Sequence, residues 1–149
     1  MLRNISVLGC GRWGSVIAWY NAKIGNNVIL WGKEDAPIYQ EIHSRRANEY
    51  LNMQDEVEIV SSLDYALEKS DIIIISISSQ NLREFLKEVA KRDLEKLRNK
   101  TYVLCMKGIE SSTGNRLSQI FKEEIGENFK VAVWVGPGHP QDYVNNIPN

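Results

Sequence analysis

Val7-Leu8-Gly9-Cys10-Gly11-Arg12-Trp13-Gly14 joins an apolar run to a run with helical patterning, and its reading decides the fold. Ile5, Val7 and Leu8 predict the end of a buried strand, and residues 13–24 predict a helix. The glycines at 9, 11 and 14 match G-x-G-x-x-G, and in this setting each has its own physical role. Gly9 permits the tight turn, Gly11 lets a diphosphate approach the backbone, and Gly14 lets the helix pack close to the strand. The free N–H groups and the positive dipole end of the helix then face the anion. Alone the pattern is weak, because glycines enter turns for many reasons. Following a strand and opening a helix, it points to dinucleotide binding.

Trp13, Ile17, Tyr20 and Ile24 recur at helical spacing and predict one apolar face, with Gly25 closing the helix and Asn26-Asn27 as the turn. Val28, Ile29, Leu30 and Trp31 read as a second buried strand. Strand, glycine turn, helix and strand within about thirty residues make a βαβ unit. The rest continues the alternation. Residues 37–46 carry a helical pattern, Val57, Ile59 and Val60 a short strand, and Ser62 caps a short helix ending near Leu67. Ile72-Ile73-Ile74-Ile75 is the most apolar run and predicts a central strand buried on both faces, as parallel sheets require. Leu82, Phe85, Leu86 and Val89 give another amphipathic helix. Residues 102–106 form a fifth strand, Thr113 caps a helix bearing Leu117, Ile120 and Phe121, and residues 131–135 form a sixth strand. Beyond Gly136 the chain is polar and rich in Asn and Pro. The fold class expected is α/β, a Rossmann-type doubly wound, mainly parallel sheet with helices on both faces.

The bulk numbers fit that architecture and narrow the partners. The chain has 149 residues, 43% of them hydrophobic and 25% charged, which suits one globular domain with a substantial core. Its net charge of −1 argues against nucleic acid or an anionic membrane surface as the main partner. No apolar run approaches the ~20 residues of a membrane span, and the first residues enter a strand at once, leaving no room for a signal peptide. Cys10 and Cys105 are too few for a disulfide scaffold, and small-residue filler in a tight loop accounts for Cys10. With only His43 and His139 and neither near a cysteine, no metal site is expected.

The ends of the predicted strands carry the remaining candidates. After Trp31-Gly32 the order is Lys33, then Glu34 and Asp35. An acid at that point bonds a ribose 2′-hydroxyl and a cation accommodates a 2′-phosphate, so Lys33 tilts the cofactor toward NADP or dual use. Arg12, inside the glycine loop, is a second cation within reach of a phosphate. Ser79 and Gln80 border the crevice after the isoleucine strand, although helix capping explains Ser79 equally well. Lys107, placed by the turn Lys107-Gly108-Ile109-Glu110, aims an ammonium where a phosphate or carbonyl oxygen would sit.

Taken together, the glycine loop, Leu30-Trp31-Gly32, Met106-Lys107-Gly108-Ile109-Glu110 with Thr113-Gly114 and Leu117, and the closing Gly136-Pro137 resemble the bacterial-type NAD(P)-dependent glycerol-3-phosphate dehydrogenases. The order and spacing hold along essentially the whole chain. The resemblance implies a cytoplasmic oxidoreductase that interconverts sn-glycerol 3-phosphate and dihydroxyacetone phosphate by hydride transfer and supplies phospholipid synthesis. It maps the family's lysine that contacts substrate and cofactor onto Lys107. The loop aromatic maps onto Trp13, the basic position after Trp-Gly onto Lys33, and the Gly-Pro turn onto Gly136-Pro137. Residues 1–149 would then be the NAD(P)-binding domain, contacting cofactor through Gly9, Gly11, Arg12, Trp13, Gly14, Lys33, Ser79, Lys107 and Gly136. A C-terminal helical domain, absent from this chain, would bring the acid/base lysine, most groups for a small phosphorylated substrate, and any homodimer contact.

There are departures from the pattern. Arg12 stands where a small residue is usual, Ser78 where proline is common, and Gly138 where a hydroxyl would hydrogen-bond substrate. Gly138 and Pro140 leave open a related reductase of a 2-hydroxy acid or ketopantoate type; a non-catalytic dinucleotide-sensing module is a further alternative of a different class.

Overall fold

The computed structural model describes residues 2–136, 138–145 and 147. Strands β1 (Asn4–Leu8), β2 (Asn27–Trp31), β3 (Glu58–Val60), β4 (Ile72–Ile75), β5 (Thr101–Leu104) and β6 (Lys130–Val133) form one sheet in the order β3-β2-β1-β4-β5-β6. Every neighbouring pair is parallel. The chain steps outward from β1 to β3, then returns to place β4 on the other side of β1. That reversal opens a crevice above the C-terminal ends of β1 and β4, the place where open α/β sheets bind ligands. This is the doubly wound Rossmann-type fold that the glycine loop and βαβ unit predict.

Alternation within the short apolar runs sorts the helices onto two faces. Leu8, Ile29, Trp31, Ile73 and Ile75 point to one side. They pack there beneath α3 (Leu63–Lys69), α4 (Leu82–Ala90), α5 (Leu94–Leu97) and α6 (Leu117–Ile125). Ile5, Val7, Val28, Leu30 and Ile74 point to the other side, under α1 (Arg12–Lys23) and α2 (Pro37–Arg45). Ser6 is the polar exception in β1, and it is fully satisfied. Its hydroxyl donates to the Ala66 carbonyl at 2.6 Å and lies 2.6 Å from Ser70 Oγ, tying the end of α3 to the central strand. Ser62 caps α3 as its sequence position predicts, Oγ accepting from the Tyr65 N–H at 3.3 Å.

Several local expectations are corrected. Tyr20 and Ile24 do not join the buried face of α1; they are 42% and 58% exposed, and the buried stretch is Gly14 to Ala18. The close seat of Gly14 on the glycine turn sinks the first half of the helix, and its second half emerges beyond the sheet. In α2 it is Tyr39 and Ile42 that go inside, while Ile38 faces outward. Thr113 does not cap α6. That helix starts at Leu117, and Gln119 Oε1 accepts from the Arg116 N–H at 3.0 Å. Thr113 instead donates to the Glu110 carboxylate and accepts from the Asn115 N–H. Ser79 begins a single 3-10 turn, Ser79–Asn81, rather than capping α4.

The fifth and sixth strands end earlier than predicted, freeing Cys105, Met106, Trp134 and Val135 to turn into the crevice. The polar tail contains a short helix, α7 (Pro140–Val144), opened by Pro140 at its first turn. Tyr143 stands edge-on to Trp13 at 5.3 Å and to Tyr20 at 6.4 Å, so α7 closes against α1.

Candidate functional site

A cleft of about 1400 Å³ runs across the C-terminal ends of the strands. It exceeds the ~300–1,000 Å³ of an ordinary small-ligand pocket, and much of its wall comes from the ends of five strands. Gly9 to Trp13 follow β1, Trp31 ends β2 with Gly32 and Lys33 after it, Ser76 to Ser79 follow β4, Cys105 to Lys107 follow β5, and Trp134 to Gly136 follow β6. Parallel register brings these together: Leu8 lies beside Trp31 and Ile75, Ile75 beside Leu104, and Leu104 beside Val133.

The glycine loop divides into two packing glycines and one open one. Gly9 sits at φ 120°, and a Cβ there would lie 2.1 Å from the Ser76 carbonyl oxygen. A Cβ on Gly14 would lie 1.8 Å from the Gly9 carbonyl oxygen, so only glycine lets α1 approach the turn. A Cβ on Gly11 would meet nothing within 4 Å, so that face is free for a ligand. Gly11 is also the N-cap of α1; no side chain caps that end and no acid stands in the first turn. The positive end of the helix dipole is therefore unneutralised and opens on the cleft. Ser15 Oγ, donating to the Cys10 carbonyl at 2.9 Å, fixes the loop from beneath.

Lys33 is exposed at the cleft rim directly after Gly32. Across from it stand Glu88, in the last turn of α4, and Arg92, just beyond that helix, neither of which carries a local sequence signal. Arg92 Nε donates to Asp64 Oδ1 at 2.7 Å. The ammonium of Lys91, followed by the charges of Arg92 and Lys33, holds the Glu88 carboxyl below its usual range. Arg12 lines the cleft with its guanidinium already engaged, 4.7 Å over the Tyr50 ring and 3.5 Å from Glu49 Oε1. Both partners of that ion pair are more than half exposed, so the contact is weak.

Trp13 faces Trp134 at 6.0 Å, and Phe85 lies 5.6 Å from Trp31, so aromatic surface lines both ends of the cleft. Ser79 lies beside the Gly108 turn, its Oγ 3.6 Å from where a Gly108 Cβ would be. Lys107 is exposed and shared between the main cleft and a smaller hollow of about 560 Å³ lined by Arg116, Leu117, Val133 and Gly136. Gly136 borders both spaces; Pro137 lies outside the described residues.

Cys10 and Cys105 are buried, and burial pushes both thiols up, keeping them protonated. Cys10 packs where a Cβ on Gly32 would come within 2.4 Å of its sulfur, which is the role of a filler. No group of three or more metal-ligating side chains occurs among the described residues. Among them, too, no helix is long and apolar enough to cross a membrane.

Comparison with known proteins agrees with this geometry. The model of the NAD-dependent glycerol-3-phosphate dehydrogenase N-terminus matches residues 4–148. A glycerol-3-phosphate dehydrogenase, NAD(P)+, from Thermoanaerobacter sp. (strain X514) is 34% identical over 97% of this chain and 43% of its own length. One from Syntrophomonas wolfei is 35% identical over the same shares. The crystal structure of a glycerol-3-phosphate dehydrogenase from Coxiella burnetii is similar at a TM-score of 0.83 and 22% identity, over 99% of this chain and 45% of that one. The chain thus spans less than half the length of the curated relatives it matches.

Proposed function

Because the chain belongs to the NAD-dependent glycerol-3-phosphate dehydrogenase N-terminal family, we propose that it is the NAD(P)-binding half of an oxidoreductase interconverting sn-glycerol 3-phosphate and dihydroxyacetone phosphate. The observation that carries this reading is the uncapped N-terminus of α1 at the strand-order reversal, with open space over Gly11. That space suits a diphosphate, and the volume of the cleft leaves room for a second nucleotide beside the first. Family membership favours this substrate over the 2-hydroxy-acid and ketopantoate reductases and over a non-catalytic sensor.

The residues divide the work by position. The N-terminal amides of α1 receive the diphosphate charge, and Gly9 and Gly14 keep that end of the helix against the turn. Lys33 faces the adenosine 2′-position, favouring NADP or dual use, and Trp13, Ser79 and Gly136 border the nicotinamide end. The bound reduced nicotinamide supplies the hydride. Lys107 places an ammonium against the substrate carbonyl oxygen, stabilising the negative charge that develops there. The proton that completes the alcohol comes from an acid/base lysine outside residues 1–149, in a helical domain that also grips the substrate phosphate and forms any dimer contact. We place the enzyme in the cytoplasm, supplying phospholipid synthesis.

Parallel titrations with NADH and NADPH test the cofactor assignment. Trp13, Trp31 and Trp134, three of the chain's four tryptophans, line the cleft, so binding quenches most of the emission saturably. Lys33→Glu is expected to weaken NADPH about tenfold while NADH changes little. Equal losses for the two cofactors would remove Lys33 from 2′-recognition, and absence of quenching, checked by calorimetry, would remove the cofactor reading.

A further inference from the structure

The chain leaves the sheet after Leu104, and beyond the buried Met106 the segment that carries Lys107 has little apolar anchorage of its own. Lys107 and Gly108 are exposed, Ile109 is 54% exposed, and Gly108 sits at φ 113°, a conformation that adds no stiffness. A lysine on such a turn would wander unless something else fixed it.

What fixes it is polar and comes from α4 and the 3-10 turn before it. Gln80 uses both ends of its amide on this segment: Nε2 donates to the Ile109 carbonyl at 2.8 Å, and Oε1 accepts from the Ser111 N–H at 2.9 Å. Those two residues flank Glu110, which is only 6% exposed. Glu110 receives a two-pronged grip from Arg83, Nε to Oε1 at 2.7 Å and Nη2 to Oε2 at 2.8 Å. Thr113 adds its hydroxyl to the same carboxylate. The Glu110 backbone closes the turn, its N–H donating to Asn115 at 2.9 Å and its carbonyl accepting from Gly114 at 2.8 Å. Arg83 is itself held by Glu124 and by Glu123 at 2.8 Å, both on α6.

Helix packing does not require this arrangement. Leu82, Leu86, Leu117, Ile120 and Phe121 already join α4 to α6 through buried apolar contact. A desolvated ion pair contributes little net stability compared with apolar side chains of the same volume. A bidentate guanidinium–carboxylate fork supplies direction instead, and this one grips the chain three residues after Lys107.

We propose that Gln80, Arg83 and Glu110 are positioning residues for Lys107, a clamp from α4 that holds the Lys107 turn at the mouth of the cleft. This rests on the role given to Lys107 above. Misplacement of a reacting group by about 1 Å costs on the order of 100-fold in rate, so the clamp acts on turnover while the glycine loop, which binds cofactor, is untouched.

The test compares Gln80→Met, Glu110→Gln, Arg83→Lys and Lys107→Met in the full-length protein, following dihydroxyacetone phosphate reduction, cofactor Kd and amide exchange. Gln80→Met and Glu110→Gln are expected to lower kcat about 10- to 100-fold, raise the KM for the triose phosphate, and speed amide exchange across residues 107–111. Cofactor Kd changes by less than kcat does, because the glycine loop keeps its own cofactor contacts. Arg83→Lys, which keeps the charge and loses the fork, falls between. Gln80 is exposed, so its variant decides the matter if Glu110→Gln does not fold. Parental kcat and KM in Gln80→Met, with Lys107→Met inactive, would overturn the clamp and leave the Lys107 role standing. An unimpaired Lys107→Met, or a parent protein without turnover, would overturn that role and the clamp with it.

Discussion

Gly11 and Gly14 are the same residue three positions apart and do opposite things. A Cβ on Gly14 would strike the Gly9 carbonyl oxygen, whereas one on Gly11 would meet nothing within 4 Å. Gly11 also has φ −66°, a value open to any residue. Gly14→Ala is therefore expected to destabilise the fold by at least the ~1–3 kcal/mol of ordinary overpacking, because backbone must move. Gly11→Leu is expected to leave the urea midpoint nearly unchanged while weakening dinucleotide binding ~100-fold or more, since the side chain fills the space a diphosphate needs. Calorimetry on folded Gly11→Leu reads the difference, and an unchanged Kd would sink the glycine-loop assignment. The motif names both glycines; only the distances separate the packing one from the open one.

At the scale of elements, the junction of α4, α6 and the Lys107 turn links electrostatics to stability. Arg83, and after it Thr113, pull the Glu110 carboxyl down from 4.5 to about 2. The native state then binds fewer protons than the unfolded chain between those values. The stabilisation is complete above about pH 4.5 and is lost as pH falls through about 2. Glu110→Gln is expected to unfold at lower urea than the parent at pH 6, with the two midpoints converging as pH approaches 2. A constant gap between pH 6 and pH 2 would mean that the fork contributes nothing through its charge. None of these pairings is visible along the chain, because Arg83 meets Glu110 and Glu124 only once two helices and a loop converge.

Across the whole molecule, the two wings of the sheet contribute to one site because every strand points the same way. A cofactor bound as proposed would contact the loops that line this cleft together, and its binding energy would stabilise the domain as a unit. NADPH at about a hundredfold its Kd adds ~2.7 kcal/mol, which raises Tm by roughly 5–11 °C for a domain of this size. Thermal unfolding with and without NADPH reads this directly. Quenching of tryptophan emission without a Tm shift would indicate contact with the rim alone.

What the sequence determined by itself was the architecture and the location of the site. The apolar runs are short and widely spaced, the glycines stand at a strand-to-helix junction, and these local signals suffice for a parallel sheet with its cleft at the C-terminal ends. The places of Lys33 and Lys107 on the cleft wall were legible for the same reason, each following a strand's end. Only the tertiary structure decided where Arg12 goes, that Arg92 and Glu88 face Lys33, that Tyr143 closes on Trp13, and that Gln80 and Arg83 hold the Lys107 turn. Those relations join residues far apart in the chain. Periodicity and turn chemistry report neighbours within one element, whereas a hydrogen bond or ring contact between elements depends on how several of them pack at once.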